Sequence, residues 1–226
     1  MKTELLAEGF GTAALLAIVV GSGVMGEQLA MGNMAIALLA NALATGAGLY
    51  VLITLLAPLS GAHLNPLVSV MMWVRGALSV RALGAYVIVQ IAGAIIGVWL
   101  AHAMFDLPVL QIGTKLRSGS GQWLSEIVAT VGLLAAIALA LRQRSQQIPA
   151  LVGSYIMAAY WFTASTSFAN PAVTIARALT ETFAGIRPGD VAGFIIAQSI
   201  GLGVVLAATR WLRGDHVTSP DFTESP

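Results

Sequence analysis

The sequence predicts an all-α membrane protein: six transmembrane helices plus two re-entrant half-helices, arranged as an inverted repeat. Three observations carry that prediction. Of 226 residues, 58% are hydrophobic and 9% charged, against roughly 25% charged in a typical soluble domain. Six apolar segments approach the roughly 20 residues an α-helix needs to cross a bilayer. The order Glu, Thr, Asn-Pro, Gln occurs twice, once in each half. With a mean hydropathy of +0.86, a soluble core cannot hide the apolar surface, so most of the chain faces lipid or other embedded helices.

The six segments are about 5–24, 35–59, 83–105, 123–141, 150–166 and 191–212, the fifth being the shortest. The first follows Lys2 in the manner of a signal peptide, but Glu4, Glu8 and its length fit a retained span. The longest polar break, 106–122, holds Lys115, Arg117 and a Ser-Gly-Ser-Gly run and divides the halves. The prediction is one domain, 1–213, made of two repeats (about 1–105 and 123–213). A tail, 214–226, rich in Asp, Ser, Thr and Pro, reads as disordered.

Glu8 and Thr12 open the first repeat, Glu126 and Thr130 the second. Gln90-Ile91-Ala92-Gly93 and Gln198-Ser199-Ile200-Gly201 stand late in each. Three spans per half is an odd number, so the second copy inserts upside down, and sites in such folds lie near the midplane. With the N-terminus inside, the inner face carries Lys2, Arg75, Arg81, Arg142, Arg144, Arg210 and Arg213, the outer face Lys115, Arg117, Arg177 and Arg187. Seven against four favours cytoplasmic N- and C-termini.

The organising stretches are Ser60-Gly61-Ala62-His63-Leu64-Asn65-Pro66-Leu67-Val68 and Ser167-Phe168-Ala169-Asn170-Pro171-Ala172-Val173-Thr174. Asn is a good helix N-cap, accepting from an orphan backbone N–H. Proline suits the first helical position, where its missing N–H costs nothing. The runs that follow, 66–75 and 171–179, are half a span long, so they read as half-helices meeting N-terminus to N-terminus. Irregular backbone survives at membrane depth only in protein or along a water-filled cavity. The carbonyls of Gly61, Ala62, His63, Leu64, Thr166, Phe168 and Ala169 therefore read as a pore-lining acceptor ladder. Asn65, Pro66, Leu67, Asn170, Pro171 and Ala172 form the midplane, with the two Asn amides as donors. Two facing helix N-termini repel cations, and a permeant bonded to both amides is turned so that it cannot relay a proton.

These stretches resemble the double Asn-Pro-Ala signature of the aquaporin/aquaglyceroporin (major intrinsic protein) family, complete at 170–172 and with Leu67 in the Ala place of the first copy. The resemblance runs from about Leu5 to Leu212. It implies an aquaporin-like fold, a homotetramer with one pore per protomer, no cofactor, and passive movement of water and small neutral solutes across the lipid bilayer. An intramembrane carboxylate is a functional candidate by default. For Glu8 and Glu126 the resemblance implies acceptors for the re-entrant loop of each half; the rival reading is a proton-coupled carrier. His63, two places before Asn65, reads as a loop-packing residue, with no metal site.

The chain departs from the family at the outer constriction. Val173 stands where an Arg usually follows the second motif, Thr45 where an aromatic is common in span two, and Ser167 in the second loop. In span five, Ala158 and Tyr160 both fit. Val for Arg removes a charge and several donors, and Thr for an aromatic removes bulk. The expectation is a wider, uncharged filter passing glycerol, urea and metalloid hydroxides such as arsenite in its neutral acid form. Arg177, one helical turn on, is the rival occupant of the filter, and Leu67 could narrow the midplane. A water-selective channel is the alternative within transport. A membrane-embedded enzyme lacks convergent nucleophiles or metal ligands. Zero Cys excludes disulfides and thiolate sites, and a net charge of +1 gives no support for nucleic-acid binding. Gly93, Gly97, Gly201 and Gly203 suit close helix crossings. Met71, Met72 and the scattered Trp residues read as core or interfacial. The compact termini suggest a bacterial inner membrane.

Overall fold

The computed structural model describes residues 1–214, so the tail expectation lies outside the described residues except at Gly214, which is helical. Eight helices follow in order: α1 (Lys2–Leu29), α2 (Met34–Ser60), α3 (Pro66–Val74), α4 (Val80–Met104), α5 (Ser120–Arg142), α6 (Ile148–Phe162), α7 (Pro171–Arg177) and α8 (Pro188–Gly214). Five are long and apolar enough to cross a membrane. The remaining span, α6, fifth in chain order, has only 15 residues, so its helix runs about 22 Å at 1.5 Å per residue. The expected segment 150–166 leaves the helix early, because Thr163 turns extended to feed the second re-entrant loop.

Local chemistry marks the boundaries. Asn33 caps α2 by accepting from Ala35 and Ile36 N–H, and Ser79 caps α4 by accepting from Ala82 N–H. Gly61 ends α2 at φ 85°, a left-handed geometry that glycine adopts without a Cβ penalty. α3 and α7 are the two half-helices, each with its Asn as N-cap and Pro in the first turn.

Packing follows the repeat. α1 lies on α4, and α5 on α8; α2 and α6, equivalent helices, join the halves. Small residues set these crossings. A Cβ at Gly93 would lie 2.2 Å from Gly9 O, and one at Gly97 2.1 Å from Ala13 O, so α1 and α4 touch backbone to backbone. At the joint between halves, a Cβ on Gly46 would sit 2.8 Å from Gly153 O, and one on Gly153 2.6 Å from Gly46 O. Gly201 meets Thr130 and Ile127 of α5, whereas Gly203 has open space around it; its expected role in a crossing is corrected, because it faces outward from α8. Leu6, Phe10, Ile88, Leu124 and Ile196 are exposed, as a lipid-facing surface requires.

Candidate functional site: a central cavity between two half-helices

Two segments of left-handed backbone precede the half-helices. Ala62 and Leu64 have φ of 46° and 49°; Thr166, Ser167 and Ala169 have φ of 60°, 50° and 47°. Non-glycine residues there cost of order 1 kcal/mol or more each, so surrounding structure must hold them. The carboxylates do so. Glu8 Oε1 accepts from Ser60 Oγ at 2.7 Å and His63 N at 2.8 Å; its Oε2 accepts from Leu64 N at 2.7 Å and Gln90 Nε2 at 2.8 Å. Glu126 repeats the pattern with Phe168 N and Ala169 N, both at 2.9 Å, and Gln198 Nε2 at 2.6 Å. Both carboxylates have no exposed surface.

The glutamines extend each network. Gln90 Nε2 also donates to Ser69 Oγ at 3.0 Å and Gln198 Nε2 to Thr174 Oγ1 at 2.9 Å. Those hydroxyls donate back to Asn65 O and Asn170 O. Each half thus ties its Glu to its Asn through one Gln and one hydroxyl. Ser69 and Thr174 escaped the sequence reading, although each stands four residues after its Asn, one turn along the half-helix.

At the centre, Asn65 Oδ1 accepts from Leu67 N, and Asn170 Oδ1 from Ala172 N and Val173 N. The amides cross the interface. Asn65 Nδ2 donates to Ala169 O and Asn170 Nδ2 to Leu64 O, both at 2.8 Å. A primary amide carries two N–H groups, so one per Asn is left over, and both side chains line the cavity. The Leu64 and Ala169 carbonyls, expected in the acceptor ladder, instead receive these amides.

The cavity encloses about 90 Å³, room for several water molecules. Gly61, Ala62, His63, Leu64, Ser167, Phe168, Thr45, Tyr160 and Val173 line it, together with the apolar residues Leu15, Val19, Leu49, Ile53, Val152 and Ile156. Tyr160 Oη donates to Thr45 Oγ1 at 3.3 Å. Ala158 is exposed: two residues from Tyr160 is about 200° around a helix, so it lies on the opposite face and leaves the filter set. Leu67 and Ala172 are buried but outside the lining, where Val68 and Val173 take their places. Pro66 and Pro171 are buried in the first turns. Thr166, expected to line the pore through its carbonyl, lies outside the lining, and its hydroxyl accepts from Arg117 Nη1 at 3.4 Å. His63 Nδ1 pairs with Ser69 Oγ at 3.0 Å, and its ring lies 5.2 Å from Tyr86.

Two arginines shape the end of the cavity beside the second re-entrant loop. Arg177 lines the cavity, with its guanidinium 3.5 Å from the Phe168 ring centroid and its Nε donating to Ala184 O. Arg117, from the loop between the halves, lies 4.9 Å over the same ring. It donates to Gly185 O at 2.9 Å and Ser165 O at 3.1 Å. Among the described residues neither guanidinium forms an ion pair. Burial and the charges of Arg117 and Arg177 push the neighbouring Lys115 down to about 8. Arg117 lies far in sequence from both motifs, which hid its place beside the second loop.

Six spans, two opposed half-helices and a buried central cavity define a membrane channel. The model of the family described as "Major intrinsic protein" matches residues 1–167. The chain is 56% identical over 207 residues to aquaglyceroporin AqpS of Rhizobium meliloti, covering 92% of this chain and 88% of that one. It is 34% identical over 103 residues to the glycerol uptake facilitator protein of Pseudomonas aeruginosa, covering 46% of this chain and 36% of that one. The aquaglyceroporin structure from Plasmodium falciparum superposes with a TM-score of 0.71 at 19% identity, covering 90% of this chain and 93% of that one. The chain belongs to the major intrinsic protein family. It is an integral membrane channel for small solutes, and not an enzyme.

Proposed function

We propose that the chain is a passive channel for small uncharged solutes, namely glycerol, urea and neutral metalloid hydroxides such as arsenite in its acid form, with water passing too. The observation that carries this is Val173 on the cavity wall beside Thr45, Ser167 and Tyr160. Neither Val173 nor Thr45 supplies a cation or an aromatic ring there. A cavity lined by hydroxyls, re-entrant loop backbone and two Asn side chains among branched aliphatic residues suits a solute that carries hydroxyls on carbon or on a soft element. The names of the AqpS and glycerol-facilitator relatives point the same way.

Arg177 supports a second role for the outer end. Its guanidinium is packed against Phe168 and held by Ala184 O; in this reading it repels cations while Val173 sets the width. Glu8 and Glu126 serve as loop supports. Their complete burial and their three or four accepted hydrogen bonds favour that role over proton carriage. The charge asymmetry and the bacterial relatives favour a bacterial inner membrane with cytoplasmic termini. A homotetramer is the assembly we expect, with no cofactor.

The test is stopped-flow light scattering on proteoliposomes with water, glycerol and a neutral metalloid hydroxide. Wild type should pass all three. Val173→Arg should keep water flux and lose at least tenfold in glycerol flux, whereas Arg177→Ala should leave the size preference intact. Loss of the size preference in Arg177→Ala, with no effect of Val173→Arg, would transfer the filter to Arg177.

A further inference from the structure

A second cavity, of about 80 Å³, lies away from the pore where the end of α3 meets the end of α8. Val74, Arg75, Leu206, Thr209 and Arg210 line it. Arg75 stands at the C-cap of the first half-helix, and Arg210 on the last turns of the final span. The two side chains come from opposite halves of the chain, so only the folded repeat brings them to one hollow. Arg75 is half-buried and Arg210 exposed. Neither has an acceptor or a carboxylate partner among the described residues.

Two guanidiniums sharing a hollow without a counter-ion repel each other, and a group carrying negative oxygens removes that cost. Guanidinium forks match phosphate oxygens geometrically. The surroundings indicate where the phosphate comes from. Trp73 and Val74, immediately before Arg75, are exposed at 42% and 38%, an aromatic and an aliphatic side chain at the end of an embedded helix. Indole rings in such places sit at headgroup level. Basic pockets between transmembrane helices at that depth bind anionic headgroups.

We propose that Arg75 and Arg210 form a binding site for the phosphate of an anionic lipid headgroup, with Trp73 and Val74 against its glycerol and upper acyl region. The site belongs to the face opposite the Arg117–Arg177 end, because α3 and α7 run in opposite directions from their shared centre. It joins the two halves through a lipid where the described residues supply no ion pair.

The experiment uses the full chain purified in detergent, with lipid retention read by native mass spectrometry and thermal unfolding followed in parallel. The probes are phosphatidylglycerol, phosphatidylcholine and inorganic phosphate. Wild type should retain phosphatidylglycerol in preference to phosphatidylcholine and unfold several degrees higher with it. The double variant Arg75→Gln/Arg210→Gln should lose at least tenfold of that retention and the thermal gain, while eluting at the same size. Arg75→Lys/Arg210→Lys should recover part of both. Equal retention by wild type and the Gln variant would overturn the proposal. So would a thermal gain from inorganic phosphate matching that from phosphatidylglycerol, since that marks a free-anion site with no lipid.

Discussion

Asn65 and Asn170 each donate to the backbone carbonyl just before the other: Asn65 Nδ2 to Ala169 O and Asn170 Nδ2 to Leu64 O, at 2.8 Å in both directions. The two half-helices are therefore bonded across the centre of the channel by their own caps. One side chain closes a helix end, fixes the opposing loop and keeps an N–H for the cavity. Replacing either Asn with Ala removes a cap worth about 1 kcal/mol and also releases the facing loop. Asn170→Ala should lower the thermal midpoint in detergent and reduce glycerol flux in proteoliposomes. The double variant should cost less than the sum of the singles, because both act on one interface.

Glu126→Gln tests the loop-support role. A Gln side chain keeps one acceptor but turns an N–H₂ toward donors such as Phe168 N, Ala169 N or Gln198 Nε2. Hydrogen bonds to a charged group contribute about 1.5–3 kcal/mol each, so the variant should be markedly less stable. Its solute flux should fall without any change in dependence on a pH gradient. Wild type should equilibrate glycerol and never accumulate it when a pH gradient is imposed; accumulation measured with labelled glycerol would mark a carrier.

Lys115 carries a pH dependence. Its folded value is near 8 against an ordinary 10.5, so between these values the unfolded chain holds more protons and stability rises with pH. The rise should begin near pH 8 and finish near 10.5. Lys115→Met should remove it, which the difference between wild-type and variant unfolding midpoints across that range would reveal. Exposure to solvent keeps the effect small.

Glycine substitutions separate crossing points from open surface. Gly97→Val should abolish folded protein, since even a Cβ would fall 2.1 Å from Ala13 O. Gly203→Ala, with nothing nearby, should leave the fold intact and stabilise it by about 0.5–1 kcal/mol, because Ala loses less backbone freedom in a helix. Size-exclusion profiles of the two variants make the comparison.

Much of this molecule was legible in the chain because a bilayer leaves few options. Apolar length set the spans, Asn-Pro set the starts of the half-helices, and an odd number of spans per repeat set the inversion. The family resemblance implied that Glu8 and Glu126 hold the loops; that Gln90 and Gln198 join those carboxylates was not read, although their repeated order marked them as counterparts. Span five was read too long, since Thr163 and Ala164 are as apolar in context as the helix before them. What ends α6 is the demand of the loop, visible only once the loop has a shape.

Sequence alone determined the fold class and the starts of the half-helices, because local capping and hydrophobic length are properties of short stretches, and the resemblance of the paired Asn-Pro stretches pointed to the family. Tertiary structure alone decided which side chains meet. It chose Tyr160 over Ala158, put Val68 where Leu67 was expected, crossed the two Asn amides, and brought Arg117 and Arg177 onto one Phe168 ring. Those outcomes depend on helix rotation and on contacts between residues as many as 115 positions apart. A shift of about 100° per residue around a helix decides whether a side chain faces pore, neighbour or lipid, and only the packed helices fix that angle.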